Sequence, residues 1–267
     1  MWSAVDRRLG PGVLFALQIA ALWPFWIRYA RRTTDGSDEP WGVVALLAAA
    51  AILWLRRGAC AQPPNPVLLA IAGTLTLVAV AAAAAIAPLA GAVAAVGALG
   101  CTVGAIHGTR RIDWPWMALA ALALPVVSSL QFYLGYPLRW LTAGATVIAL
   151  GAAGMVVDQR GSMLSWMGHD VMVDAPCSGV HMLWAGMLLA AFVAALRRMA
   201  GTRFARLLAC TAAVVLAANA GRNTALFLQE VGSLALPAWT HEGIGVVSFA
   251  FAAAAILRLA TRGANEP

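Results

Sequence analysis

The chain has 267 residues, 62% hydrophobic and only 11% charged, against about 25% charged in an ordinary soluble domain. All eighteen basic side chains are arginines, facing eleven acidic residues for a formal charge of +7, and most of them sit in pairs at the ends of apolar runs. This excludes a soluble enzyme and a phosphate-binding face for nucleic acid, and it marks an integral membrane protein whose arginines label cytoplasmic span ends.

In chain order the apolar runs are 12–29, 41–55, 66–87, 89–107, 114–134, 138–157, 179–198, 205–227 and 243–260. At roughly 20 apolar residues per span, they fill the chain as a single membrane-embedded domain, 1–267, with no room for a large soluble part. The first run lacks the layout of a cleaved signal peptide, so Met1 onward is expected to be retained. The 138–157 run opens after Pro137 and places Arg139, Thr142 and Thr146 in one polar stripe, the pattern of a helix lying in the interface. If it does not span, twelve arginines fall inside and five outside, with Arg222 left over. If it spans, the count is ten against seven. The positive-inside rule therefore predicts an all-α polytopic protein with about eight transmembrane helices, both termini cytoplasmic and 138–157 as an extracytoplasmic interfacial helix.

Residues 158–176 are too polar to span. Apolar residues flank Gly168-His169-Asp170 without helical period, which predicts a short extracytoplasmic hairpin. The tryptophans at span ends read as an interfacial belt. Cys60, Cys101, Cys177 and Cys210 show neither CxxC spacing nor a dense disulfide pattern, so no metal, redox dithiol or cofactor is expected.

In a membrane bundle the informative residue is the polar one out of place. Cys177 lies in Asp174-Ala-Pro-Cys-Ser-Gly179 just before the 179–198 run; Asn219 and Arg222 sit three apart in the 205–227 run; His241 opens the last. Counted from the inner arginines Arg197, Arg206 and Arg258 at 1.5 Å per residue, Cys177, Arg222 and His241 lie about 30, 24 and 26 Å up their helices. All three reach about the same outer depth.

Such a set suits acyl transfer. A fixed cation and a helix N-terminus favour the thiolate, the form that attacks. Arg222 can hold the oxyanion that forms on a peptide carbonyl, His241 can move the thiol proton to the leaving amine, and Asn219 can orient the guanidinium or add a donor. Bland readings stand beside these. Cys60, Cys101 and Cys210 are ordinary small core residues, Arg222 can snorkel to headgroups, and His241 can merely cap the last helix with Thr240. His181, one turn beyond Cys177, is a rival base; His169 reads as a turn residue, His107 as an interface residue, and Glu230 and Glu242 as orienting groups.

At these residues the sequence resembles the exosortase/archaeosortase family of polytopic membrane cysteine transpeptidases, in its bacterial branch. Pro176-Cys177-Ser178-Gly179 matches the family's Cys-Ser-Gly, Asn219-Ala-Gly-Arg222 its Asn-x-x-Arg, and His241-Glu-Gly-Ile-Gly245 its His-x-x-x-Gly. Pro137-Leu-Arg139 and Asp38-Glu-Pro-Trp-Gly42 also resemble family features, and Pro176 departs from the usual Ala. The similarity covers most of the chain and is strongest from about 130 to 250, the expected catalytic half. The resemblance implies catalytic Cys177, Arg222 and His241, with Asn219, Ser178, Gly179 and Gly245 in support. It implies a bacterial inner-membrane enzyme, active on the extracytoplasmic face, that cleaves a C-terminal sorting signal of the Pro-Glu-Pro type from exported proteins through a thioester. The acceptor is expected to be linked to the surface or to exopolysaccharide. The partners expected are those exported proteins and membrane lipid, with no nucleic acid. A plain endopeptidase would use the same residues, and a permease or assembly factor of an envelope-polymer system is the competing class, although paired broken helices and internal repeats, marks of a transporter, are not visible.

Overall fold

The computed structural model describes residues 11–34, 41–56, 64–84, 88–106, 112–124, 127–232, 237 and 240–262. Its helices are α1 (Pro11–Ala21), α2 (Trp23–Thr34), α3 (Trp41–Arg56), α4 (Pro66–Ala84), α5 (Pro88–Ile106), α6 (Trp114–Leu122), α7 (Val127–Ala152), α8 (Val180–Leu196), α9 (Gly201–Glu230) and α10 (Thr240–Arg262). Between α7 and α8 lie strands β1 (Asp158–Arg160), β2 (Met163–Trp166) and β3 (His169–Met172) and a 3-10 turn, Ala175–Ser178. Cys60, His107, Arg110, Arg111, Asp38 and Glu39 fall outside the described residues.

Among the described residues four stretches are long and apolar enough to cross a membrane: Pro66–Ala83, Ala175–Leu196, Gly201–Glu230 and Thr240–Arg262. Trp41–Arg56 and Ala90–Ile106 are apolar but shorter. The chain is thus a helical multi-pass membrane protein, with one small sheet among the described residues.

Prolines redraw three of the expected apolar runs. The 12–29 run is broken at Leu22 into α1 and α2, because Pro24 lacks an N–H and starts a helix rather than continuing one. The 114–134 run is also two helices: Leu124 precedes Pro125, whose ring disfavours helical backbone at the residue before it. Pro137 acts the other way. It lies inside α7, which runs unbroken from Val127 to Ala152, so 138–157 is not a separate helix. Inside a bundle, neighbouring groups compensate the one hydrogen bond that such a proline removes. Of the stripe expected to face headgroups, Thr142 and Thr146 are packed inward instead, 2% and 0% exposed, while Arg139 is half-buried.

The described residues form two compact units, Met1–Val126 with Ala194–Phe204, and Val127–Val193 with Ala205–Pro267. In the first, Leu22, Ala79 and Ala95 pack with Phe25 and Leu99, and Gln18 Nε2 donates to Thr76 Oγ1 at 3.1 Å. α3 and α6 meet through small residues: a β-carbon at Gly42 would fall 2.5 Å from the carbonyl oxygen of Ala123. One buried cation anchors this unit. Arg56, 9% exposed, pairs with Asp113 and donates to the carbonyl of Ala195 at the end of α8. Asp113 also caps α6, accepting from Trp116 N at 3.1 Å.

In the second unit the sheet order is β1-β2-β3, antiparallel throughout. Leu164 and Val173 from the sheet region pack with Ala143 and Leu150 of α7, Val157, and Phe227 of α9. The expected hairpin is therefore two successive hairpins. Trp166 pairs with His169, and the two loop residues Met167 and Gly168 both have positive φ, 48° and 84°, as a type I′ turn requires. Gly161 (φ 65°) opens the other turn.

Asp113→Ala should lower unfolding stability in detergent by about 3–5 kcal/mol, because Arg56 is left buried without its carboxylate. Asp113→Ser keeps a capping oxygen and should recover only about 1 kcal/mol of that loss. Full recovery by Ser would show that the cap, and not the ion pair, holds this corner.

Candidate active site

The site lies within the second unit and is built on a change of backbone direction. β3 ends at Met172, and after Asp174 the chain winds into the 3-10 turn Ala175–Ser178 and then, through Gly179 at φ 83°, into α8. Gly179 is required on two counts. Its φ is left-handed, and a β-carbon there would lie 2.8 Å from the Asn219 amide, closer than such a carbon can approach. This is why glycine follows Cys-Ser in the motif.

Cys177 sits half-buried at this corner, its N–H donating to Asp174 O at 3.0 Å. Its carbonyl accepts twice from α9, from Asn219 Nδ2 at 3.1 Å and from Asn223 Nδ2 at 3.2 Å. Residues i and i+4 of a helix share a face, so two amides spaced one turn apart can reach one oxygen. Asn219 is 1% exposed and donates its second N–H to Thr142 Oγ1 of α7 at 3.1 Å. Asn223 also donates to Asn219 O at 2.9 Å. Ser178, 1% exposed, donates to Gln131 Oε1 at 3.1 Å, while Gln131 Nε2 donates to Ala175 O at 3.3 Å. The turn is gripped from α7 on one side and α9 on the other.

Arg222 is held more loosely. Nη1 makes a long contact of 3.5 Å with Pro176 O, and its buried Nε has no partner among the described residues. Gly245 of α10 packs on this guanidinium: a β-carbon there would sit 3.4 Å from Nε. His241 lies exposed in the first turn of α10, four residues before Gly245, and so on the same face of that helix. No hydrogen bond joins it to Cys177 or Arg222 among the described residues. His181 is exposed on α8, and His169 is the first residue of β3 rather than part of the turn. Of the other described cysteines, Cys101 is buried and Cys210 exposed.

Cys177, Ser178, Gly179, Asn219, Arg222 and Gly245 thus come together, with His241 one turn away along α10. Reading the sequence missed Gln131, Thr142 and Asn223 as parts of this network. Their only signal was polarity inside an otherwise apolar segment. A corner of this kind presents a thiol at a helix N-terminus beside a cation with an unmatched N–H, which is equipment for attack on a carbonyl and for holding the negative charge that follows.

Among known families, the family model described as transmembrane exosortase matches residues 13–258. Comparison with curated proteins and with solved structures returns no match.

The shared acceptor makes a non-additive prediction. Asn219→Ala and Asn223→Ala each leave the Cys177 carbonyl one donor, and each should cost about 1–2 kcal/mol of unfolding stability. The double mutant strands that carbonyl, so its loss should exceed the sum of the singles by about 1 kcal/mol or more. Strict additivity in thermal or denaturant unfolding would show that the two amides act independently.

Proposed function

The chain belongs to the transmembrane exosortase family, and on that premise we propose that it is a cysteine transpeptidase that cleaves C-terminal sorting signals from exported proteins. The observation that carries this reading is the grip of Asn219 and Asn223 on the Cys177 carbonyl with Arg222 against the same turn. It fixes the thiol-bearing backbone and leaves a cationic N–H unmatched beside it.

In the proposed reaction the sulfur of Cys177 bonds to the carbonyl carbon of the scissile peptide, and the oxygen gains the negative charge. Arg222 holds that oxyanion with donors in a fixed planar fork. His241 takes the thiol proton and returns it to the departing amine as the C–N bond breaks. The exported protein is then a thioester on Cys177. An acceptor amine or hydroxyl attacks the thioester carbon, gives its proton to the imidazole and displaces the thiolate, which is reprotonated. A surface or exopolysaccharide-linked acceptor makes the enzyme a transferase; water in its place makes it an endopeptidase. The signal proposed is of the Pro-Glu-Pro type, and the setting is the bacterial inner membrane with about eight spans and the sheet and Cys177 on the extracytoplasmic side. The competing reading, a permease or assembly factor, gives no reason to clamp a cysteine carbonyl with two amides.

Cys177→Ala should abolish processing of a co-expressed tagged protein bearing such a signal while the enzyme remains inserted at normal level. Joint replacement of Cys60, Cys101 and Cys210 should leave processing largely intact. Arg222→Lys keeps the charge without the fork and should lose roughly 10²–10³ in rate. His241→Ala should lose on the order of 10²–10⁴, and His181→Ala far less. Normal processing by Cys177→Ala defeats the proposal, and equal loss in the two histidine mutants removes His241 from its role.

Topology has its own test. Met167 stands at the tip of the β2–β3 turn and is 82% exposed. A Met167→Cys probe in a background lacking native thiols should react with a membrane-impermeant maleimide in intact spheroplasts. Labelling only after lysis would place the sheet in the cytoplasm.

A further inference from the structure

β3 is an edge strand: β2 lies on one side of it, and among the described residues no strand pairs with the other. Its hydrogen-bonding phase follows from the turn. In a two-residue hairpin the pair flanking the loop, here Trp166 and His169, exchanges both backbone hydrogen bonds, and successive residues then alternate. His169 and Val171 therefore direct their N–H and C=O groups to β2. The alternation continues past the strand, since Val173 N donates to Ser162 O at 2.9 Å. Asp170 and Met172 accordingly turn their backbone groups outward.

The surface beside this edge is open. Met172 is 54% exposed, and Asp170, Asp174, Ala175 and Pro176 are exposed as well. The strand also leads to the reacting group. Cys177 is the fifth residue after Met172, at most about 17 Å of extended chain away, and the turn shortens that span. Four residues make too short an edge to favour uncontrolled pairing between copies, yet their alternation offers the outward groups of two residues to one incoming chain.

We propose that β3 takes up the polypeptide substrate as a fourth strand, with the backbone groups of Asp170 and Met172 holding an extended segment whose neighbouring residues then lie at the Cys177 thiol. This is recognition by strand addition, in which main-chain hydrogen bonds give affinity and side chains matter at alternate positions. It rests on reading Cys177 as the nucleophile and adds how the substrate is held.

The test is binding, so that it stands apart from catalysis. A fluorescent peptide bearing a Pro-Glu-Pro-type signal is titrated onto the full-length Cys177→Ala protein in lipid nanodiscs. Met172→Pro deletes an outward N–H and leaves the β2–β3 ladder intact. It should weaken binding on the order of tenfold, the equivalent of one hydrogen bond, whereas Met172→Ala should bind as the parent does. N-methylation of successive peptide bonds in the probe should weaken binding at every second position only, a result that does not depend on how well Met172→Pro folds. No binding, or uniform tolerance of N-methylation, overturns strand addition. Period-two binding without processing by the unmodified enzyme would sustain strand addition and count instead against the nucleophile. Processing without the period would do the reverse.

Discussion

Two amide side chains on one helix hold one carbonyl oxygen, that of Cys177, and the local structure around the thiol follows from it. Because Asn219 and Asn223 are one turn apart on α9, the oxygen has to lie directly over that face. The turn Ala175–Ser178 must then press against the helix, and Gly179 must lack a side chain where the Asn219 amide passes. Thr142 takes the second N–H of Asn219, so α7 is set by the same residue. A buried amide in an apolar bundle is costly unless its hydrogen bonds are made, and here that cost becomes a positional constraint shared by α7, α9 and the start of α8.

Two described arginines, Arg56 buried and Arg222 half-buried, differ in how far their donors are satisfied. Arg56 pairs with a carboxylate and donates to a carbonyl, the surroundings of a fastening. Arg222 has one long contact and a buried Nε without an acceptor. An unmatched donor next to a half-buried thiol is a group waiting for an oxygen that arrives from elsewhere. Asn219 Oδ1 is likewise buried and unpartnered, so the polar part of α9 carries both an excess donor and an excess acceptor beside Cys177.

Much of this was legible in the residues themselves, and the failures share causes. The runs that became α3, α4, α5, α8, α9 and α10 read correctly as helices because each is a long, mostly apolar segment bounded by charge or proline. Pro24, Pro125 and Pro137 were the ambiguous signs. Proline ends a helix in isolation, but whether it does so in a bundle depends on which neighbours take over the freed carbonyl, and local sequence does not say which. The Arg139, Thr142, Thr146 stripe was seen but turned the wrong way: a polar face looks the same whether it meets headgroups or an asparagine on another helix. Gln131 and Asn223 were passed over because neither belongs to a motif; each is meaningful only once its partner is placed.

The open edge of β3 has a consequence for where along its substrate the enzyme can work. Unpaired backbone groups are not tolerated against lipid hydrocarbon, so the open edge has to face water, headgroups or a water-filled cavity, and the turn that begins three residues later lies close by. Under the proposed function, a substrate anchored by its own apolar segment would meet the Cys177 thiol at a fixed height relative to the bilayer. The bond presented to that thiol would then be chosen by counting residues from the substrate's point of emergence, as on a ruler set against the membrane surface.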